Sequence, residues 1–187
     1  MKRKTFLKIL PAAFLGASAF AAKPETKGNK MLVVYYSWSG NTRVIAETIK
    51  KLTGADMLEI LPETPYPAVY GQTVDIAKKE TGAKYCRPVK TKIPDLSGYE
   101  TVFVGSPNWW GTVSSPIRTF LTQAKLAGKN VVPFMTHEGS RMGRAVSDIK
   151  TLCPNSKILE ALPVRGGSVR GAEKTVAKWL DSMKLAK

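Results

Sequence analysis

The stretch MLVVYYSWSGNTRVIAETI, residues 31–49, decides the fold. Met31–Tyr36 is an unbroken apolar run, the mark of a strand buried on both faces. Ser37-Trp38-Ser39-Gly40-Asn41-Thr42 interrupts it. Apolar residues then recur at helical spacing over Thr42–Leu52, at Val44, Ile45, Ile49 and Leu52, and Gly54 closes the helix. The turn between strand and helix has two readings. Ser39 or Asn41 can cap the helix, a task that needs one such residue. The other reading is a phosphate seat. A helix start offers free N–H groups and a positive dipole end, and Gly40 lets backbone approach closely. Ser37, Ser39 and Thr42 add hydroxyls, so an anion can be ringed without any lysine. The loop supplies more polar groups than capping uses, which favours the anion. It has neither the G-x-x-x-x-G-K of a nucleotide P-loop nor the G-x-G-x-x-G of a dinucleotide fold.

Outward from this unit, short apolar runs alternate with amphipathic stretches. Strands are predicted at 56–61, 101–105, 130–135 and 157–162, and helices at 69–80, 116–127, 144–152 and 172–184. Trp179, spaced helically with Val176 and Met183, reads as core. Five strands and five helices in alternation give an α/β domain over residues 31–187, with helices on both faces of a parallel sheet. The two common strand orders are 3-2-1-4-5 and 2-1-3-4-5, and periodicity does not choose between them.

Ligands bind such sheets beyond the carboxyl ends of the strands. After strand three the chain reads Gly105-Ser106-Pro107-Asn108-Trp109-Trp110-Gly111-Thr112. Two adjacent indoles in a Gly- and Pro-bounded loop are poor core candidates and good stacking partners for a planar ligand. The alternative is that one covers the sheet end and the other marks a protein contact. After strand four comes Thr136-His137-Glu138-Gly139-Ser140, with the only histidine in the chain. His137 is the candidate for a proton donor or a hydrogen bond to a ligand, against a plain loop residue tied to Glu138 or solvent.

Taken together, SWSGNT at 37–42, GSPNWWG at 105–111 with PIRTFL at 116–121, and YPAVYGQTVDIAKKE at 66–80 resemble the flavodoxin family, in its short branch with a double-tryptophan loop. The resemblance runs from about Met31 to the C-terminus. It implies a three-layer flavodoxin-like fold with strand order 2-1-3-4-5, in which strands one and three are neighbours and their loops meet. It implies FMN as cofactor. Ser37, Ser39, Asn41 and Thr42, with Gly40, then hold the phosphate. Pro107, Asn108, Trp109, Trp110 and Gly111 line the ring, with Trp109 or Trp110 stacking on it, and Thr136, His137, Glu138 and Gly139 form the third loop. That loop is usually richer in Gly and Ser, so His137 and Glu138 are departures. Trp38 either shields the phosphate or ribityl chain or packs on its own loop. Arg43, Arg118, Arg141 and Arg144 lie near helix starts on the ligand side, and none is singled out as a ligand.

The N-terminus reads as a processing segment. Lys2, Arg3, Lys4 and Lys8 form a basic head before an apolar stretch too short to span a membrane, and Ala19-Phe20-Ala21 fits a cleavage site. Residues 1–21 are thus expected to be a signal peptide and 22–30 a linker, with export to a bacterial periplasm. Arg3-Lys4-Thr5-Phe6-Leu7-Lys8 is one residue from a twin-arginine signal, and Lys4 favours the general route. Removing residues 1–21 takes away four basic groups and no acidic one, leaving 25 basic against 14 acidic, a net +11. Such a surplus attracts anions or acidic partners, or serves solubility. The basic residues are scattered among acidic ones with no binding motif, which argues against nucleic acid. Cys86 and Cys153 form no C-x-x-C pair, so no metal site is expected, and helix three is expected to keep the two thiols apart.

These features predict an FMN-dependent NAD(P)H reductase of quinones or other small acceptors. A pure electron carrier docking a redox protein, and a non-redox phosphate-ligand or protein-binding module, are the alternatives.

Overall fold

The computed structural model describes residues 30–187; the expected signal peptide and all but Lys30 of the expected linker lie outside the described residues. The elements run β1 (Met31–Tyr35), α1 (Asn41–Thr53), β2 (Asp56–Glu59), α2 (Tyr70–Gly82), β3 (Thr101–Trp109), β4 (Thr112–Val113), α3 (Ser115–Gln123), β5 (Asn130–His137), α4 (Ala145–Leu152), β6 (Lys157–Ile158), β7 (Leu162–Arg165), a 3-10 turn (Gly166–Gly171) and α5 (Glu173–Ser182).

The main sheet is parallel in the order β2-β1-β3-β5-β6, with β7 pairing further along β5. Counting β6 and β7 as one interrupted strand, this is the expected order 2-1-3-4-5. Side chains that alternate along β1 and β3 feed two cores. Leu32, Val34, Val102 and Val104 meet Ile117, Leu121 and Ile149 on one face. Val33, Phe103 and Val132 meet Ile45, Ile49, Val176 and Trp179 on the other. Trp179 is buried there, edge-on to Phe103, with its Nε1 donating to Glu160 O (3.1 Å). Gly105 is required where β3 passes β5, because a side chain there would strike the Phe134 ring.

Three boundaries differ most from the sequence reading. The predicted strand 157–162 is two pieces. Val131 pairs with Ile158 and Phe134 with Leu162, so one extra residue is accommodated opposite Val132–Pro133, a bulge in a parallel pair. Helix α3 stops at Gln123 rather than 127, since Ala124 is extended (ψ 138°) and Leu126 turns in to be buried. Strand β3 runs on through Trp109, because Asn108 and Trp109 pair antiparallel with Val113 and Thr112. The expected double-tryptophan loop is therefore a two-residue hairpin, with Trp110 (φ 53°) and Gly111 (φ 83°) both left-handed, as a type I′ turn requires.

Both thiols are free. Cys86 Sγ lies 3.9 Å from Thr122 Oγ1 and Cys153 Sγ 3.9 Å from Leu121 O, so both rest against the end of α3. Cys86 is exposed and Cys153 buried, and burial pushes the Cys153 thiol up to about 11.

Candidate functional site

Parallel register brings the three loops to one edge. Tyr35 lies beside Gly105, and Pro107 beside Thr136, so the chain leaves β1, β3 and β5 at neighbouring points. The first loop ends at Gly40, which is the N-cap of α1 (φ 91°) with no side-chain capping bond. The alternative reading of the loop, a cap by Ser39 or Asn41, is not what forms. Arg43 N donates to Ser37 Oγ (3.2 Å) and Val44 N to Gly40 O (3.1 Å). The amides of Asn41 and Thr42 find no acceptor among the described residues, and Ser39 is exposed beside them. A helix of 13 residues thus opens toward solvent with unspent donors and its positive dipole end.

Thr42 behaves otherwise than a simple phosphate ligand. Its side chain is 1% exposed, and its Oγ1 shares a 2.8 Å hydrogen bond with Thr136 Oγ1. That hydroxyl pair ties the first loop to the third. Asn41 is half-buried beside Gly166, where a side chain would collide with both the Asn41 amide and the Glu138 carboxylate. Trp38 packs away from the helix start: its Nε1 donates to Pro67 O (3.1 Å) and its ring lies 6.1 Å from Tyr70.

The two tryptophans of the hairpin have different surroundings. Trp109 is half-buried, T-shaped against Tyr36 (5.7 Å) and Tyr66 (4.8 Å). The expectation that neither indole belongs to the core is corrected for Trp109, which packs against the edge of the core through Tyr36 and Tyr66. Trp110 is 47% exposed, with its Nε1 donating to Val74 O (3.2 Å) and Lys78 Nζ 5.1 Å from its ring centroid. Behind Trp109, Tyr66 donates to Glu80, which Arg87 also grips at 2.7 Å while stacking on the Tyr66 ring at 4.1 Å. Glu80 is 8% exposed, so its charge is buried but fully paired.

Asn108 joins the hairpin to the third loop. Its Nδ2 donates to Arg141 O (2.7 Å) and its Oδ1 accepts from Gly111 N (3.0 Å). Arg144 N also donates to Gly111 O (2.7 Å), and a side chain at Gly143 would run into that carbonyl. His137 ends β5 with its Nδ1 accepting from Gly139 N (2.9 Å). Partial burial, followed by the Arg141 cation, lowers its pKa, with Glu138 opposing and Arg165 adding to the shift. Glu138, Gly139 and Ser140 are exposed at the rim. Arg43 is engaged by Glu59 (2.6 Å), and Arg144 and Arg118 by Asp148 (3.2 and 3.9 Å).

Sequence reasoning missed Arg165 and Gly166 beside this third loop, and Tyr36, Tyr66 and Tyr70 around the indoles. The Gly166-Gly167 pair directly after the last strand was the available signal for the first two. For the tyrosines there was none at short range.

The geometry suits a phosphate monoester carried by a planar group. The uncapped α1 start supplies the anion seat, and indole surface lies within the same edge of the sheet. Among the described residues no cluster of His, Cys, Asp and Glu is arranged to hold a metal ion. No helix among them is long and apolar enough to cross a membrane.

Comparison with known proteins agrees. A family described as flavodoxin matches residues 30–183. A candidate flavoprotein from Bacteroides eggerthii is 31% identical, with a TM-score of 0.73 over 83% of this chain and 98% of its own. Another from Bacteroides uniformis is 27% identical (TM-score 0.73; 82% and 99% of the two chains). A flavoprotein from Lactobacillus acidophilus, solved in complex with FMN, is 27% identical (TM-score 0.65; 79% and 99%). On residues, fold and relatives alike, the chain belongs to the flavodoxin family.

Proposed function

We propose that this chain is an FMN flavoprotein that works as an NAD(P)H-dependent reductase of quinones or other small acceptors. The observation that carries the cofactor is the uncapped start of α1, with the free amides of Asn41 and Thr42 beside Ser37, Ser39 and Gly40. In this reading those groups hold the FMN phosphate, and the hairpin with Trp109 and Trp110 flanks the ring. Bound FMN supplies hydride and electron transfer between donor and acceptor. The residues do the rest. Asn108 and the Thr42–Thr136 pair fix the three loops relative to one another. Arg141 and Arg165 lie beside His137 at the third loop, where their positive charge favours added negative charge. In the overall balance, a hydride from NAD(P)H and one proton from solvent convert a quinone into its hydroquinone.

The reductase reading rests on the basic surround, since a mature net charge of +11 suits an anionic donor. The same charge supports the second reading, a carrier that docks an acidic redox protein with strongly salt-dependent association. The basic, apolar and A-x-A pattern of residues 1–21 supports work in a periplasm.

The test starts from the purified chain. Expected are a yellow protein, extracted FMN, and oxidation of NADH or NADPH with a quinone present. A colourless chain that ignores added FMN rules out both redox readings and leaves the phosphate-ligand or protein-binding module. A yellow chain inactive with every quinone, but exchanging electrons with an acidic redox protein at low salt, establishes the carrier instead.

A further inference from the structure

Between the first loop and the 61–68 segment lies a hollow of about 470 Å³. It shares Ser37, Trp38 and Ser39 with the first loop, but no residue of α1, the β3–β4 hairpin or the third loop lines it. Backbone pairing builds its rim. Lys90 N donates to Leu61 O and Glu63 N to Pro88 O (both 2.9 Å), which sets Lys90 beside Leu61. The walls are mainly carbon, from Leu61, Pro62, Pro65 and Ala68 with the rings of Tyr36 and Tyr66. Two side-chain donors of the wall are spent: Trp38 Nε1 donates to Pro67 O (3.1 Å) and the Tyr66 hydroxyl to Glu80. Ser37 Oγ accepts from Arg43 N (3.2 Å), which leaves its own proton unspent. The hydroxyls of Tyr36 and Ser39 and the Lys90 ammonium have no side-chain or backbone partner among the described residues. No side chain of the wall is a carboxylate. Tyr36 decides what the hollow is for. It is only 5% exposed. No side-chain oxygen or nitrogen sealed from solvent lacks a partner among the described residues, so its hydroxyl opens onto space, and the hollow is the space that Tyr36 lines. Burial holds this phenol above its usual range, which keeps it a neutral donor.

We propose that this hollow binds a small organic acid, a carboxylate on an apolar ring or branched body, at a site apart from the α1 start and the hairpin. Unspent donors with no carboxylate among them call for a ligand that brings acceptors and negative charge. Carbon walls call for an apolar body, which inorganic anions and sugar phosphates lack. The carboxylate takes the Lys90 ammonium and the Tyr36 hydroxyl, and the body lies against Leu61, Pro62 and Pro65. The volume falls within the roughly 300–1,000 Å³ of ligand cavities, room for a single ring and its side chain. The site rests on neither the cofactor reading nor the reductase reading.

Phenylacetate is the probe. Acetate, which has the charge without the body, and phenylacetamide, which has the body without the charge, are the controls. The full chain, with and without saturating FMN, is titrated while its backbone amide signals are followed by NMR. Saturable shifts at Tyr36, Leu61, Ala68 and Lys90 are expected in either state, with phenylacetate about tenfold tighter than either control. Lys90→Gln, at an exposed side chain, should weaken phenylacetate by about tenfold while FMN affinity stays within about twofold, and Lys90→Arg should restore most of the loss. Tyr36→Phe keeps the ring packed on Tyr66 and Trp109 and removes the hydroxyl alone, so it should weaken phenylacetate several-fold. The proposal is overturned if phenylacetate gives no saturable shift at these amides, if phenylacetamide binds as tightly, if neither Lys90→Gln nor Tyr36→Phe weakens binding, or if FMN displaces phenylacetate one for one. A chain that takes no FMN yet binds phenylacetate in a Lys90- and Tyr36-sensitive way overturns the cofactor reading and leaves the hollow standing.

Discussion

Gly139 N donates to His137 Nδ1, which places the proton of the neutral imidazole on Nε2 and aims that N–H away from the loop. Adding a second proton would need Nδ1 and break the contact, the same direction in which burial and Arg141 lower the pKa. The unfolded-state value is about 6.5. Between the lowered folded value and about 6.5, the unfolded chain binds the proton more readily, so stability rises with pH through that window. It falls as pH drops below about 6.5. Because the chain has one histidine, its imidazole gives a single set of NMR signals. The expected result is a titration midpoint below 6.5 and a neutral form protonated at Nε2; a midpoint above 6.5 contradicts this environment. Glu138 and Asn41 were readable in the sequence as polar loop residues, but their meeting at Gly166 was not. That contact joins three loops, and only the closed sheet brings them together.

At the scale of the element, the β3–β4 hairpin carries two tryptophans with different duties. Trp109 is packed between Tyr36 and Tyr66, while Trp110 sits exposed at a left-handed backbone position that bulky residues rarely adopt. Trp109→Ala is expected to cost about 3 kcal/mol in urea unfolding, the large-aromatic range. Trp110→Asn relieves about 1 kcal/mol of left-handed strain and loses one exposed hydrogen bond of similar size, so stability should stay within about 1 kcal/mol. Equal costs for the two would sink this division of labour. The hairpin was not legible because two-residue turns of this type are usually marked by Asn-Gly or Asp-Gly, and here the first position is tryptophan. The buried runs of β1, β3 and β5 were legible, since a strand covered on both faces has an apolar signature of its own. The break between β6 and β7 was hidden by the apolar Leu159 and Ala161. The irregular backbone there includes Glu160, whose carbonyl takes the distant Trp179 N–H.

Across the whole molecule, the two thiols report on cooperativity. Cys86 is open to reagent, whereas Cys153 lies in the core formed with α3 and α4 and has a thiol raised to about 11. Reaction with a thiol reagent at neutral pH should release one equivalent quickly. The second should appear only at the rate of opening of the Cys153 core. Two fast equivalents would mean that α4 detaches without the rest of the fold. The +11 balance expected after removal of residues 1–21 was plain from composition, but which cations are free was not. Arg43 and Arg87 pair with Glu59 and Glu80, while Arg118 and Arg144 share Asp148; all but the Arg144–Asp148 pair cross between separate segments of the fold.

The Asn108 bridge has a kinetic consequence. With Asn108 stiffening the hairpin through its own Gly111 N and fastening it to Arg141 O, and with Arg144 N closing on Gly111 O, the second and third loops form one rim that swings together or not at all. A ligand arriving at this edge meets an aperture of fixed outline rather than a gate. Its capture rate is then governed by approach angle and by the positive field, and its residence time by the contacts it makes once seated.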